Sequence, residues 1–323
     1  MNKIKRIFSE IRNSWNAIDL LPGGPHNFFK KIWILCDMLW SIVAYGALAD
    51  DYISLGFRDK SCAERKKYVT SGNKRLFFRE FYDDDARNVL AHKNLFSKRF
   101  SKFVTRDWIY TADSDEESVR AFFKNHDSIV VKPIDSTWGK GISVKSKDDV
   151  EEVLHSMKHG SHFMLEEKIV NHPDIAKLNP ESLQTLRVET CLDSKGNFHL
   201  LNVLLMIGTK STIVSNCHSG GVMCHINMET GKVDKPGFNP QGYWLDVHPV
   251  SNITFVGYDV PLIDKLTDYI KNVCQVMPNA RYVGWDVAIT PMGFELIEGN
   301  FCPGQCTQTC DGIPKYDMLK SYL

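Results

Sequence analysis

The chain has 323 residues, enough for two or three lobes with a sizeable hydrophobic core. Lysine plus arginine and aspartate plus glutamate both number 39, so the formal net charge is zero and nothing in the composition indicates a nucleic-acid partner. Nine cysteines without a secretion signal indicate a reducing cytoplasm, and an odd number cannot all pair within one chain.

The first twenty residues predict an amphipathic helix in which apolar side chains recur at helical spacing among basic ones. Its apolar positions are Ile4, Ile7, Phe8, Ile11, Trp15 and Ile18. Two interpretations stay open: the helix packs on its own protein, or it makes a peripheral contact with an anionic membrane surface. The expected location is cytoplasmic, and the second interpretation would add association with the inner face of the membrane.

Residues 32–48 predict a second helix. It is shorter than the roughly twenty residues that a transmembrane helix needs, and it contains Asp37. Asp37, Ser41 and Tyr45 are spaced four apart, which places a polar stripe on an otherwise buried helix. We therefore expect residues 1–85 to form a helical N-terminal region and not a membrane span.

From about residue 85 the sequence alternates between strand and helix patterns, which predicts an α+β fold. Helices are predicted over residues 148–159 and 261–277, where apolar residues recur every three or four positions. Strands are predicted over residues 128–133, 142–144, 164–168, 183–192, 198–207 and 222–227.

The segment near the C-terminus predicts a β-hairpin that carries metal ligands. Two β-rich runs, 283–289 and 294–298, flank a turn that contains proline and glycine. In that hairpin Asp286 falls within about one residue of lying opposite Glu298, and Asn300 shares a strand face with Glu298. Carboxylate and amide oxygens suit Mg2+, which usually leaves its other positions to water and substrate phosphates. The hairpin is therefore a predicted magnesium site.

A phosphate-binding flap is predicted upstream of this hairpin. The strand 128–133 delivers Lys132 and runs into a loop that consists of Ser136, Thr137, Trp138, Gly139, Lys140 and Gly141. Small residues and glycines let backbone N–H groups approach an anion closely, and the lysines add positive charge. The loop lacks the spacing of a P-loop. An ordinary hairpin turn with solvated lysines is the alternative interpretation.

The order of these pieces resembles the ATP-grasp enzymes. Lys132 and the flap are followed by an apolar strand that ends in Glu-Lys (164–168), by Asp174, by an arginine-bearing strand (183–190) and by the metal hairpin. The wording SLQTLRVET, SNCHSGG and GWDVAI…FELIEGNFCPG is most similar to the sugar-transfer associated ATP-grasp proteins, which accompany polysaccharide biosynthesis enzymes. The similarity spans about residues 85–315.

The resemblance implies two α+β lobes of antiparallel sheet that clasp ATP. Residues 86–170 would form the first lobe with the flap, and residues 171–323 the second lobe with the hairpin. Lys132 would bind phosphates together with Lys93, for which Lys98 is the reserve. The other implied nucleotide contacts are Glu166 or Glu167 with Lys168 at the adenine, the backbone at Val170 beside them, and Asp174 at the ribose hydroxyls.

Two catalytic side chains are also implied. Many carboxylate–amine ligases of this superfamily have an arginine two residues before the metal-binding aspartate, where this chain has Gly284. Arg187 is the predicted substitute that binds the transferring phosphoryl group and an oxyanion, and a purely structural arginine is the alternative. His218, in a glycine-ended polar loop, is interpreted either as a proton-transfer group or as a solvated histidine.

The function implied by the resemblance is an ATP-dependent carboxylate–amine ligase that forms an amide through an acyl phosphate. Its cofactors would be ATP and one or two Mg2+ ions, with Mn2+ as a substitute. Its substrates would be small-molecule or glycan-linked carboxylates and amines in capsule or exopolysaccharide biosynthesis. Two alternatives stay open: a kinase that phosphorylates a small molecule or sugar, and a nucleotide-binding scaffold without turnover. The sequence gives no oligomeric state.

Overall fold

The computed structural model describes residues 15, 18–21, 24, 26–134, 141–209, 220–303 and 305–323. Two antiparallel sheets with helices packed around them form an α+β fold, which confirms the class predicted from the sequence. A large hydrophobic core lies against the second sheet, and smaller clusters lie under the first sheet and in the N-terminal region.

The N-terminal region is helical, as predicted. Its helices and those that follow are α1 (Phe28–Tyr45), α2 (Ala49–Ser54), α3 (Cys62–Arg65), α4 (Lys74–Glu80), α5 (Asp84–Ala91) and α6 (Lys93–Arg99). Helix α1 begins after Asn27, whose side chain accepts a hydrogen bond from the backbone N–H of Lys30, and ends at Gly46 in the left-handed conformation. Buried residues between positions 18 and 68 form a cluster of their own, and the large core begins with Val69.

Helix α1 turns its polar stripe toward the protein. Ser41 is fully buried, and Asp37 accepts hydrogen bonds from Arg65 and from the hydroxyl of Tyr52. The expectation that the rest of this helix is buried was wrong. The polar stripe faces the protein because it binds the buried Arg65, and the apolar face on the other side of the helix is therefore exposed. Within the described part of the chain, no helix is both long and apolar enough to cross a membrane.

The first sheet has the strand order β1-β4-β2-β3 and is antiparallel throughout. Its strands are β1 (Trp108–Tyr110), β2 (Ile129–Pro133), β3 (Ser143–Lys145) and β4 (Phe163–Glu167), with helices α7 (Glu116–Asn125) and α8 (Val150–Lys158) alongside. Val119 and Phe123 from α7 pack with Ile129 and Leu165 from the sheet, so this lobe has its own small core. Lys132 lies near the C-terminal end of β2.

The second sheet runs, among the described residues, in the order β10-β9-β7-β6-β5-β11-β12, and β8 pairs with β7. The strands are β5 (Thr185–Leu192), β6 (Phe198–Ile207), β7 (Val222–Asn227), β8 (Lys232–Val233), β9 (Gly237–Asn239), β10 (Tyr243–Leu245), β11 (Tyr282–Thr290) and β12 (Gly293–Phe301). The remaining helices are α9 (Pro173–Ala176), α10 (Ile263–Val276), α11 (Thr307–Asp311) and α12 (Tyr316–Ser321).

Alternation along β5 and β11 separates apolar from charged side chains. Leu186, Val188 and Trp285 lie in the large core with residues of α10. Successive side chains of a strand point to opposite faces, so Arg187 and Asp286 lie together on the other face of the sheet. The chain therefore places its charged groups on the face away from the large core.

A buried arginine joins the two sheets. Arg106 precedes β1, and its Nε donates to Oε2 of Glu166 in β4 at 2.7 Å. Its Nη1 donates to Oε1 of Glu295 in β12 at 2.7 Å, and the three side chains are at most 6% exposed. Burial alone would raise the pKa of Glu166, but Arg106 and Lys132 outweigh it and lower that pKa to about 2. A carboxylate from each sheet thus depends on one guanidinium.

We expect Arg106→Met to destabilise the protein strongly. Removing one partner of a buried ion pair leaves uncompensated charge, which costs about 3 to 5 kcal/mol. The free energy of unfolding from urea titration, followed by circular dichroism, measures this. The matched control is Arg120→Ala, which breaks an exposed ion pair with Glu151 and should leave stability nearly unchanged. Equal losses in both variants would contradict the structural role of Arg106.

Candidate active site

The metal hairpin predicted from the sequence is present as a hairpin. β11 and β12 pair antiparallel, and Asp286 lies directly opposite Glu298 in the register. A β-bulge follows between Asp286 and Val287, and Gly293 closes the turn with a φ of 129°. Side chains of strands alternate, so Glu298 and Asn300 share a face. All three predicted ligands therefore project from the same end of the hairpin.

The three side chains are within hydrogen-bond distance of one another. Nδ2 of Asn300 donates to Oδ2 of Asp286 at 3.2 Å and to Oε1 of Glu298 at 3.1 Å. The amide nitrogen thus lies between two carboxylates, where a cation would be attracted by both. A half-turn of the amide would present its oxygen instead, giving the two carboxylates and one carbonyl that Mg2+ accepts as ligands.

Burial makes this pair of carboxylates electrostatically strained. Burial is the main cause that raises the pKa of Asp286 to about 6; Arg187 opposes it and the charge of Glu298 adds to it. Burial also opposes the ionisation of Glu298. Its pKa is nevertheless lowered, because Asn300 and Asp286 form hydrogen bonds with it and the positive charges of Lys132 and Arg187 lie nearby. The two carboxylates are partly withdrawn from water and repel each other, so the donor set fits a divalent cation.

Arg187 reaches the hairpin from the neighbouring strand β5. It lies opposite Asp286 in the register, and its Nε and Nη2 donate to the two oxygens of that carboxylate at 2.6 Å and 3.1 Å. This bidentate pair fixes the plane of the guanidinium. A Cβ built on Gly284 would lie only 3.2 Å from Cδ of Arg187 and 2.9 Å from Cγ of Pro303. Pro303 and Arg187 therefore fill the space that a side chain at position 284 would need.

A cavity of about 50 Å³ lies beside the hairpin. It brings together the predicted phosphate lysines Lys93 and Lys132, the carboxylate of Glu166, and the predicted ligands Glu298 and Asn300. Its other lining residues are Leu90, Phe96, Ser97, Ile297 and Gly299. A water molecule needs roughly 10 to 15 Å³ of cavity volume of this kind, so the cavity holds only a few waters and a triphosphate needs a wider opening.

The predicted adenine residues separate in the structure. Glu166 is buried, and its Oε2 accepts hydrogen bonds from Arg106 and, at 2.6 Å, from Nζ of Lys132. Glu167 is exposed, and its carboxylate forms a group with Asp107 and His126 in which the ligand atoms lie within 4.8 Å of one another. Glu166 is thus occupied by its ion pairs with Arg106 and Lys132, and Glu167 is the more accessible of the two carboxylates.

The residues that follow β4 lie at the surface. Lys168 and Val170 are exposed, and the backbone N–H of Lys168 donates to the carbonyl of Ser128 at 3.3 Å. Their contact with adenine stays a prediction.

Asp174 is not part of the cavity beside the hairpin. It lies in the short helix α9, where Nζ of Lys177 contacts its Oδ1 at 2.6 Å. Both residues line a second cavity of about 570 Å³, together with Tyr258 and Pro261, and this cavity shares no lining residue with the first. The role of Asp174 at the ribose stays a prediction.

Most of the predicted flap and one predicted catalytic residue are not among the residues that the structure describes. Residues 136–140, which include Ser136, Thr137, Trp138, Gly139 and Lys140, and also His218, lie outside the described residues. Gly141, the last flap residue, is described and has a φ of 73°, a conformation that favours glycine.

Sequence reasoning missed Arg106 and Glu295. The available signal was Glu295 itself, which stands between Phe294 and Leu296 in the predicted strand. A carboxylate buried in such a strand requires a partner. Backbone N–H groups of Thr105 and Arg106 also donate to Glu295. The site thus rests on a carboxylate that the motif analysis did not single out.

Comparison with known proteins identifies the family. The profile of the sugar-transfer associated ATP-grasp family matches residues 149–313, just over half of the chain. No curated protein matches the sequence.

Among solved structures, the chain is similar to the ATP-grasp ligase PsnB in complex with a phosphomimetic variant of its minimal precursor, Mg and ADP. The identity is 12% and the TM-score 0.47, over 83% of this chain and 70% of PsnB. For the D-cycloserine synthetase DcsG the identity is 12% and the TM-score 0.45, over 85% of this chain and 81% of DcsG. For the D-alanine-D-alanine ligase from Coxiella burnetii the identity is 11% and the TM-score 0.44, over 72% of this chain and 56% of the ligase.

We expect Glu298→Gln to abolish Mg2+-dependent ATP turnover while the protein stays folded. The amide keeps the shape of the side chain but removes the charge that attracts the cation. Steady-state ADP formation should fall at least about a hundredfold, near 2.7 kcal/mol at about 1.36 kcal/mol per decade. Glu229→Gln, at an exposed glutamate, is the control. Full activity of Glu298→Gln, or of the native protein in excess chelator, would refute the metal assignment.

The two candidate phosphate lysines of α6 can be separated by mutation. Lys93→Ala should weaken MgATP binding about tenfold, because a charge-assisted phosphate contact contributes roughly 1.5 to 3 kcal/mol. Lys98 lies outside the cavity, exposed and paired with Asp113 at 3.3 Å, so Lys98→Ala should leave the Kd unchanged. Isothermal titration calorimetry measures both. A larger loss in Lys98→Ala would exchange the two assignments.

Proposed function

We propose that this chain, which belongs to the sugar-transfer associated ATP-grasp family, is an ATP-dependent ligase that joins a carboxylate to an amine. The observation that carries the proposal is the pairing of Arg187 with the carboxylate set of Asp286 and Glu298, beside a cavity lined by Lys93 and Lys132. A guanidinium and two lysines around two carboxylates suit phosphoryl transfer, which needs positive charge on both sides of a phosphate.

The lysines account for recognition of the triphosphate. ATP carries about four negative charges, so a water-poor site must supply cations along the phosphates. Lys132 is held by Glu166 at 2.6 Å, and Lys93 lines the same cavity from α6. The flap residues 136–141 would add backbone N–H donors above the phosphates. In this proposal the nucleotide enters after the cavity widens.

Asp286, Glu298 and Asn300 would hold the metal. Their chemistry suits one or two Mg2+ ions, and Mn2+, which takes similar oxygen ligands, would substitute. The bound ion would neutralise charge on the phosphates and relieve the repulsion between the two partly buried carboxylates. All three ligand side chains are intact, which argues against a scaffold without turnover.

The first chemical step would be attack by the substrate carboxylate on the γ-phosphorus of ATP. The bond between this phosphorus and the bridging oxygen breaks, ADP leaves, and the carboxylate becomes an acyl phosphate. Arg187 is held in a fixed plane by Asp286, so its guanidinium is ordered before the substrate arrives. Its role would be to bind the transferring phosphoryl group.

In the second step the amine would attack the acyl carbon. A tetrahedral oxyanion forms, phosphate leaves with its bonding electrons, and the nitrogen loses a proton to give the amide. Arg187 would stabilise the oxyanion, and His218 would accept the proton. The association of the family with sugar transfer supports a glycan-linked substrate in capsule or exopolysaccharide biosynthesis. The proposed location is cytoplasmic, which the many cysteines favour.

Hydroxylamine trapping distinguishes a ligase from a kinase. With a suitable carboxylate, ADP formation should depend on that acceptor, and hydroxylamine should convert the acyl phosphate to a hydroxamate that mass spectrometry detects. Arg187→Ala should lower both ADP formation and hydroxamate yield at least about tenfold, or about 1.4 kcal/mol in the barrier. Arg120→Ala, at an exposed arginine, is the control for the substitution itself.

The outcome that would overturn the ligase proposal is acceptor-dependent ADP formation with a stable phosphorylated product and no hydroxamate. That result would favour the kinase, because a phosphate ester is not an acyl donor. If Arg187→Ala lowers only the thermal stability and the folded fraction keeps the native rate, the arginine is structural and the catalytic assignment is wrong.

A further inference from the structure

Helix α1 carries an uncovered apolar face. Phe29 is 82% exposed, Trp33 59%, Trp40 57% and Val43 80%. With Cys36, which is also exposed, these positions recur every three or four residues and so lie on one side of the helix. Isolated exposed apolar residues are ordinary, but a continuous aromatic stripe marks an interaction surface.

The opposite side of the helix fixes this orientation. Arg65 donates to both oxygens of Asp37 at 2.7 Å and 2.8 Å and to the hydroxyl of Ser41 at 3.1 Å. Ile34 and Met38 are buried in the N-terminal hydrophobic cluster. Turning α1 to bury the aromatic stripe would leave Arg65 without its carboxylate in a buried position, which is costly. The apolar face is therefore held outward by the fold.

The dimensions and composition of α1 suit a helix that lies in the plane of a bilayer surface. Its 18 residues extend about 27 Å, and no described helix is apolar and long enough to span a membrane. Tryptophan and phenylalanine favour the boundary between headgroups and acyl chains. The acidic residue of the helix, Asp37, faces the protein, so no carboxylate from α1 would meet the lipid.

The sequence up to the end of α1 is basic, which complements an anionic surface. Lys30 is exposed at the start of α1, and the neighbouring Lys31 pairs with Asp19 at 2.6 Å. Residues 1–45 hold six lysines and arginines against three acidic residues, whereas the whole chain has a formal net charge of zero. Basic residues beside an amphipathic helix are attracted to anionic lipids.

We propose that α1 binds the surface of an anionic lipid bilayer, with the stripe of Phe29, Trp33, Trp40 and Val43 inserted below the headgroups. It assigns the membrane contact to α1, and not to the first twenty residues, because among the described helices α1 carries the exposed aromatic stripe.

Vesicle flotation tests the proposal directly. The full-length protein should float with vesicles made of equal parts phosphatidylcholine and phosphatidylglycerol, and only weakly with phosphatidylcholine alone. Raising the salt from about 0.1 M to about 1 M shortens the Debye length from ~10 Å to ~3 Å and should reduce flotation. Trp33→Glu should lower vesicle affinity at least tenfold. Met292→Glu, at a residue 96% exposed in the hairpin turn, adds the same charge elsewhere and should keep it.

Two cysteines provide a second measurement that does not depend on a variant. Cys36 lies on the proposed lipid-facing side, whereas Cys62 is exposed in α3. Anionic vesicles should slow alkylation of Cys36 several-fold, as mapped by mass spectrometry, and leave Cys62 unchanged. Equal protection of both cysteines, or of neither, would contradict insertion of this face.

Other occupants of the stripe give different results, and each would overturn the proposal. A native dimer that Trp33→Glu converts to a monomer, without vesicle binding, would assign the face to a second copy of the chain. Vesicle binding that appears only after residues 1–14 are deleted would show that this segment covers α1. Flotation of Trp33→Glu with native affinity, once thermal unfolding shows the variant folded, would place the lipid contact elsewhere.

Discussion

The guanidinium of Arg106 is the interaction on which the arrangement of the two sheets depends. It binds Glu166 from one sheet and Glu295 from the other, and all three groups are withdrawn from water. Glu166 also accepts a hydrogen bond from Lys132, the candidate phosphate lysine. The joint between the sheets and the cationic side of the site thus share a carboxylate, so a change at Glu166 would alter both at once.

Strand alternation explains why a strained cluster of charges survives in the second sheet. On one face, Val188 and Trp285 supply apolar burial, which stabilises the sheet. On the other face, Arg187, Asp286 and Glu298 are close enough for their protonation to be linked, and burial raises the pKa of Asp286. Such a local conflict is expected at functional sites, where the rest of the fold offsets the cost.

Sequence patterns predicted what depends on short-range periodicity. The turn that joins β11 to β12 and the two-residue period of a strand place Asp286 within about one residue of Glu298. The β-bulge between Asp286 and Val287, which the sequence did not predict, brings the two directly opposite each other. The bridge from Arg106 to Glu295 does not, because it spans 189 positions and has no local signature. Helical periodicity also shows that Asp37 and Ser41 share a side of α1, but not that this side meets Arg65. Tertiary contacts decide that point.

The contact between Arg187 and Gly284 has a consequence for related sequences. The space above β11 at this position is filled by two side chains: Pro303, with Cγ 2.9 Å from where a Cβ of residue 284 would be, and Arg187 from β5, with Cδ at 3.2 Å. A relative that carries a larger residue at the position of Gly284 should therefore have smaller residues at the positions of both Arg187 and Pro303. Side-chain sizes at these three positions should covary, because Gly284 is required here for its small size.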